Sequence, residues 1–222
     1  MREFYRRNYF LIRRMHSLSG IIPVGVFFLI HMFLNSRAGQ GREQYQWVPD
    51  TLDQVPLLPV IEIGGILLPI LFHAALGVVI VWQGEINSHK PALGWYSNHA
   101  YTLQRVTGVI LFVLIAIHVW QTWWVHTSLK LEGRAHEFDI FGLMEGILGS
   151  NGWLVAYALF VLIAAFHFGN GIYNFCYKWG ATTSKSSQRW AIVFGWAVGL
   201  IGVVLGWYSL WGLRFSPWAG GG

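Results

Sequence analysis

An all-α membrane protein with five transmembrane helices is the fold class that this sequence predicts, and three observations predict it. About 20 predominantly apolar residues suffice to cross a bilayer, and such runs occur at roughly 17–35, 57–83, 103–126, 152–178 and 190–212. Of 222 residues, 55% are hydrophobic and 11% charged, and the mean hydropathy of +0.46 is high for a soluble domain. Each of the first four runs holds one histidine: His31, His73, His118 and His167. The chain is read as a single integral membrane domain, 1–222, with helices I–IV forming a pseudo-twofold four-helix bundle.

In chain order, a basic arm precedes helix I, which is expected to begin near Ser17-Leu18-Ser19-Gly20. No small-residue cleavage site follows that first run, so it is not read as a signal peptide. A polar, proline-bearing outer loop (36–56) leads to helix II, and a short cytoplasmic loop (87–91) to helix III, from near Tyr101 to His126. The second outer loop, 127–151, is the most polar segment, and helix IV ends near Lys178. A polar turn, 182–187, introduces helix V, where Gly195, Gly199, Gly202 and Gly206 form small-x-x-x-small pairs that predict a close packing face. Residues 219–222 read as a disordered tail.

Topology accounts for the net charge of +5. With a cytoplasmic N-terminus, Arg2, Arg6, Arg7, Arg13, Arg14, Lys90, Arg105, Lys178, Lys185 and Arg189 lie inside, and only Arg37, Arg42, Lys130, Arg134 and Arg214 outside. That asymmetry follows the positive-inside rule and calls for no nucleic-acid partner. Glu3 and Glu85 are the acids expected inside; the rest are expected at or beyond the outer surface. Tyrosines and tryptophans crowd the expected helix ends, as interfacial belts do. The lone Cys176 excludes an internal disulfide and an iron–sulfur cluster held by this chain alone. There is no C-x-x-C-H for covalent haem and no glycine-rich nucleotide fingerprint.

An internal repeat organises the histidines. Ser19-Gly20-Ile21-Ile22 leads to His31 as Thr107-Gly108-Val109-Ile110 leads to His118, with a one-residue difference in spacing. Phe72-His73 with Gly77 matches Phe166-His167 with Gly171. His31 and His118 come about 14–15 residues after the expected inner ends of their helices, roughly 21–22 Å at ~1.5 Å per residue. His73 and His167 come ~10–11 residues before theirs, roughly 15–16 Å. Depth therefore pairs His31 with His118 and His73 with His167. An ionisable residue inside a bilayer is costly and marks a site. Two facing imidazoles within a bundle fit haem b, so two haems b are expected, each between one pair. Gly77 and Gly171, one turn after His73 and His167, either let a flat macrocycle approach the backbone or serve ordinary helix packing. His89, His99, His126 and His136 are read as solvated or interfacial.

Arg13-Arg14-Met15-His16-Ser17-Leu18-Ser19-Gly20, the four spaced histidines, Leu103-Gln104-Arg105-Val106-Thr107-Gly108 and Phe166-His167-Phe168-Gly169-Asn170-Gly171 resemble the dihaem cytochrome b anchor of succinate dehydrogenase and fumarate reductase, in its five-helix, menaquinone-using form. The likeness covers about 5–212. It implies haem-iron ligation by His31, His73, His118 and His167, and haem-propionate contacts near Ser17, Tyr101 and Lys178. It further implies a flavoprotein partner carrying FAD, an iron–sulfur partner, and electron transfer through this chain to menaquinone or in reverse, within a bacterial plasma membrane. A higher oligomer of the complex stays open.

Glu62 is the one acid within the apolar run 57–71. It is either a proton donor to quinone on the outer side or an acid favouring the helix dipole. The competing quinone site is Arg14, His16, Ser17 and Ser19. Arg13, Arg14 and Arg105 serve either a propionate or an acidic face of the iron–sulfur subunit. Two other function classes stand beside this one: the cytochrome b anchor of another respiratory oxidoreductase, and a transporter with proton-relay histidines.

Overall fold

The computed structural model describes residues 2–83, 96–217 and 219, with the side chains of Arg2, Phe4, Tyr5, Tyr96 and Ser97 left aside. The expected loop 87–91, with Glu85, His89, Lys90 and Trp95, lies outside the described residues, as does most of the tail 219–222. Among the described residues there is no strand. Five helical segments are long and apolar enough to cross a membrane: Arg6–Gln40, Leu58–Trp82, Asn98–Leu131, Asn151–Lys178 and Lys185–Arg214.

The basic arm is helical, not a lead-in. α1 spans Arg2–Ile21. Its guanidinium groups sit on aromatic rings one turn back, Arg13 over Tyr9 at 4.7 Å and Arg14 over Phe10 at 4.1 Å, and such i,i+4 pairs stabilise a helix. α2, Pro23–Asn35, restarts after Ile22 with proline at its first position, where a missing N–H costs nothing.

Both expected outer loops contain helices. α3, Arg42–Leu52, carries Pro49 within it, and proline was the signal for a loop. Burial of Tyr45 and two bonds of Gln46 hold α3 in place: its amide donates to the Phe138 carbonyl (2.7 Å), and its oxygen accepts from Ile140 N–H (3.0 Å). After a turn at Leu58–Val60 and a π-helical stretch Ile61–Leu67 comes α4, Leu68–Trp82. α5 is Tyr96–Gln121, and a break at Thr122 sets off α6, Trp123–Leu131. α7, Ile140–Leu148, is capped by Asp139, whose carboxylate accepts from Gly142 N–H at 2.9 Å. α8 is Asn151–Lys178 and α9 is Lys185–Arg214.

Contacts divide the chain into two compact units. One comprises Met1–Phe28, Pro59–Ile110 and Ile163–Leu200; the other comprises Leu29–Leu58, Leu111–Leu162 and Ile201–Gly222. The division falls inside α2, α5, α8 and α9.

In the first unit, the expected glycine face of α9 meets α8 backbone to backbone. A Cβ at Gly199 would lie 3.0 Å from the Ala165 carbonyl oxygen, and one at Gly169 would lie 2.5 Å from that of Gly195. In the second unit, Ala38, Tyr45, Phe141, Met144, Leu148, Tyr157, Leu210 and Leu213 form a buried cluster. α7 supplies Phe141, Met144 and Leu148, an i, i+3, i+7 face. Elsewhere large apolar side chains are exposed, and α4 has no buried residue at all. Lipid is the solvent that makes such a surface stable.

Candidate functional site

The first unit holds His73 and His167, with ring centres 6.3 Å apart and planes at 87°. His73 Nδ1 lies 2.9 Å from the His16 carbonyl oxygen and 3.3 Å from Ser19 Oγ. A carbonyl can only accept, so Nδ1 carries the proton. Ser19 Oγ gives its own proton to the His16 carbonyl at 3.0 Å, leaving a lone pair for the ring. His167 Nδ1 lies 3.1 Å from Thr107 Oγ1, whose proton goes to the Leu103 carbonyl at 2.7 Å. His167 is therefore also the Nδ1–H tautomer. Its backbone carbonyl accepts from the Gln104 amide at 2.9 Å, and the Gln104 oxygen accepts from the Asn170 amide at 2.6 Å.

The second unit holds His31 and His118, 5.7 Å apart with planes at 77°. His118 Nδ1 lies 3.3 Å from the Tyr157 hydroxyl, which donates to Gln121 Oε1 at 2.9 Å and so accepts from the ring. His31 differs. Its Nδ1 faces the Asn35 amide nitrogen at 3.3 Å, which also donates to the His31 carbonyl at 2.8 Å. The Tyr45 hydroxyl donates to Asn35 Oδ1 at 2.7 Å. Burial, with Tyr157 beside it, raises the Tyr45 phenol above its usual range, so it stays a donor.

Two imidazoles bound end-on to one metal at ~2.0–2.1 Å would put their ring centres about 6 Å apart. Both pairs meet that spacing. In three of the four rings the hydrogen bonds put the proton on Nδ1 and leave the Nε2 lone pair to ligate, as partners of metal-bound histidine do. The residues present therefore fit a bis-imidazole cofactor such as haem.

The other sequence-derived candidates fall into distinct groups. Arg13 Nη2 donates to the Tyr101 hydroxyl at 3.0 Å, and Arg105 donates to the same oxygen while its guanidinium lies over the Tyr101 ring at 4.2 Å. Lys178 is half-buried at the end of α8. Ser17 Oγ accepts from Trp179 Nε1 at 3.1 Å and donates to the Arg14 carbonyl. Arg14 lies 4.9 Å from the Trp179 ring, its Nε buried and without a hydrogen bond. His16 stacks on His73, ring centres 4.0 Å apart, and its Nε2 is 3.1 Å from where a Cβ would stand on Gly77. At Gly171 a Cβ would stand 3.7 Å from Gln104 Nε2. Glu62 is half-buried in the π-helical stretch.

Sequence reasoning missed Thr107, Gln104, Tyr157 and Gln121 as partners of the histidines. The repeat was the available signal for Thr107: it sets Thr107-Gly108 on Ser19-Gly20 and Gln104 on His16. His126, expected to be solvated or interfacial, is buried. It bonds Asp53 Oδ2 at 3.1 Å and stacks on Phe138 at 4.1 Å, while Lys130 pairs with the other Asp53 oxygen at 2.5 Å.

Comparison with known proteins adds three findings. Residues 83–206 match the family described as the succinate dehydrogenase/fumarate reductase transmembrane subunit. The chain is 36% identical to the succinate dehydrogenase cytochrome b558 subunit of Bacillus subtilis (strain 168), over 85% of this chain and 86% of that protein. It is 24% identical to the fumarate reductase cytochrome b subunit of Helicobacter pylori (strain ATCC 700392 / 26695), over 86% of this chain and 75% of that protein.

Proposed function

Since the chain belongs to the succinate dehydrogenase/fumarate reductase transmembrane subunit family, we propose that it is the membrane anchor that passes electrons between an iron–sulfur partner and menaquinone through two bis-histidine haems b. The observation that carries this reading is the pair of imidazole couples, His73 with His167 and His31 with His118, at metal-bridging separation. A haem b at each couple supplies one-electron Fe(III)/Fe(II) exchange. The chain's own residues would bind and orient the groups: His31, His73, His118 and His167 would hold the two haems, and Ser17, Tyr101 and Lys178 with Arg13 and Arg105 would form a polar, cationic set for the propionates. Gly77 and Gly171 act through packing, since His16 and Gln104 stand over them.

Succinate chemistry belongs to a flavoprotein partner with FAD, consistent with the absence of nucleotide motifs in this chain. The N-terminus lies in the cytoplasm of a bacterial plasma membrane, where exposed Arg6 and Arg7 of α1 face the iron–sulfur partner. Glu62 hands protons to quinone. The competing quinone site, Arg14, His16, Ser17 and Ser19, is favoured instead by the stacking of His16 on His73 and by the unsatisfied Arg14 Nε. Gentle purification of the complex is the test. Flavin and an iron–sulfur subunit should accompany the chain, and a pyridine haemochrome assay should give two haems b per chain. None, or one, sinks the reading.

A further inference from the structure

The internal repeat does something at His73 and His167 that it does not do at the other pair. Ser19-Gly20 and Thr107-Gly108 occupy the same register, and each dipeptide meets one histidine of the next helix in the same way. The hydroxyl stands 3.3 Å (Ser19) or 3.1 Å (Thr107) from Nδ1. The glycine that follows lies under the Cε1 edge: a Cβ at Gly20 would be 2.5 Å from His73 Cε1, and one at Gly108 would be 3.1 Å from His167 Cε1. A side chain at Gly20 would force the His73 ring to shift, and one at Gly108 would crowd the His167 ring. Each hydroxyl spends its proton on a carbonyl of its own helix, His16 for Ser19 and Leu103 for Thr107. Each therefore meets the ring as an acceptor.

We propose that the hydroxyl–glycine dipeptides Ser19-Gly20 and Thr107-Gly108 are a duplicated positioning device for His73 and His167, with Tyr157 in the corresponding role for His118. The inference rests on the haem reading above. An acceptor on Nδ1–H fixes the tautomer, aims Nε2, and makes the imidazole a stronger donor to a metal. A stronger donor favours ferric over ferrous iron, so hydrogen bonding around the ligand is a lever on potential. The three hydroxyls thus act on two haems selectively: Ser19 and Thr107 on one, Tyr157 on the other.

Redox titration of the purified complex tests this, read by optical spectra and by the low-spin electron paramagnetic resonance signals. Thr107→Val keeps the shape and removes the acceptor. It should move one of the two haem components about tenfold toward the reduced form, 59 mV for one electron, and leave the other in place. Ser19→Ala should move that same component by less, because the His16 carbonyl still accepts from His73. Tyr157→Phe should move the other component. Thr107→Ser should restore the wild-type titration. If Thr107→Val does not assemble, Ser19→Ala against Tyr157→Phe carries the same contrast. The inference is overturned if the hydroxyl variants move neither component, if they move both alike, or if Thr107→Val and Tyr157→Phe act on the same one. A wild-type complex without two haem components would overturn the proposed function instead, before any variant is compared.

Discussion

The two histidine pairs are held by different kinds of structure. Around His73 and His167 the partners come from the spanning helices, and they come twice: Ser19 and Thr107 on Nδ1, His16 and Gln104 one turn earlier, Gly77 and Gly171 opposite them. Around His31 and His118 the repeat is gone. Asn35 and Tyr45 serve one ring, Tyr157 and Gln121 the other. Tyr45, from α3, and Tyr157, from α8, are themselves members of the buried cluster to which α7 and α9 also contribute. The duplicated helices keep duplicated contacts at His73 and His167, and lose them where members of the buried cluster of the second unit supply other polar tips.

The largest expected effect breaks the comparison outright. Replacing His73 or His167 with Ala should remove one haem and leave one per chain, and replacing His31 or His118 should remove the other. Pyridine haemochrome content with redox titration reads this. If His31 and His73 variants lost the same haem, the two regions would not be two sites.

A core cut should separate the regions next. Phe141 is fully buried in the second unit, and Phe141→Ala should cost about 3–5 kcal/mol. Thermal loss of the haem component held by His31 and His118 should then precede loss of the other. Simultaneous loss of both at the wild-type temperature would mean that the cluster does not support the pair.

The smallest effect bears on which region serves quinone. Glu62→Gln keeps shape and removes the proton equilibrium. It should slow quinone-linked turnover about tenfold relative to the dye-linked rate, about 1.4 kcal/mol on the barrier. An unchanged ratio would move the site to Arg14, His16, Ser17 and Ser19, beside His73.

Much of the fold was legible because lipid imposes a simple demand. Five apolar runs appear in the sequence as five long helices in the structure, and the glycines of helix V read correctly as a packing face. The depth argument brought His31 to His118 and His73 to His167 without coordinates. Misreadings concentrated in the polar segments. α3 was hidden by Pro49 and α7 by the polarity around it, since both helices draw on a shared core, and α7 on its Asp139 cap, not on a long apolar stripe. His126 was misjudged for the same reason: its partner Asp53 lies 73 residues away in sequence.

By itself, then, the sequence determined the number of spans, the presence of one histidine in each of the first four, and the repeat that relates them. Each follows from hydropathy and spacing, which are properties of neighbouring residues. Only the tertiary structure decided that Ser19 and Thr107, not Ser17, meet the rings of His73 and His167, that Tyr157 meets His118, and that α3 and α7 share one buried cluster with Tyr157. Those facts turn on which side chains from distant helices come within about 3 Å of one another, and a hydrogen bond is lost beyond about 3.5 Å. Periodicity sets which face of a helix looks inward, while the close approach of backbones at Gly20, Gly108 and Gly199 sets how near the faces come.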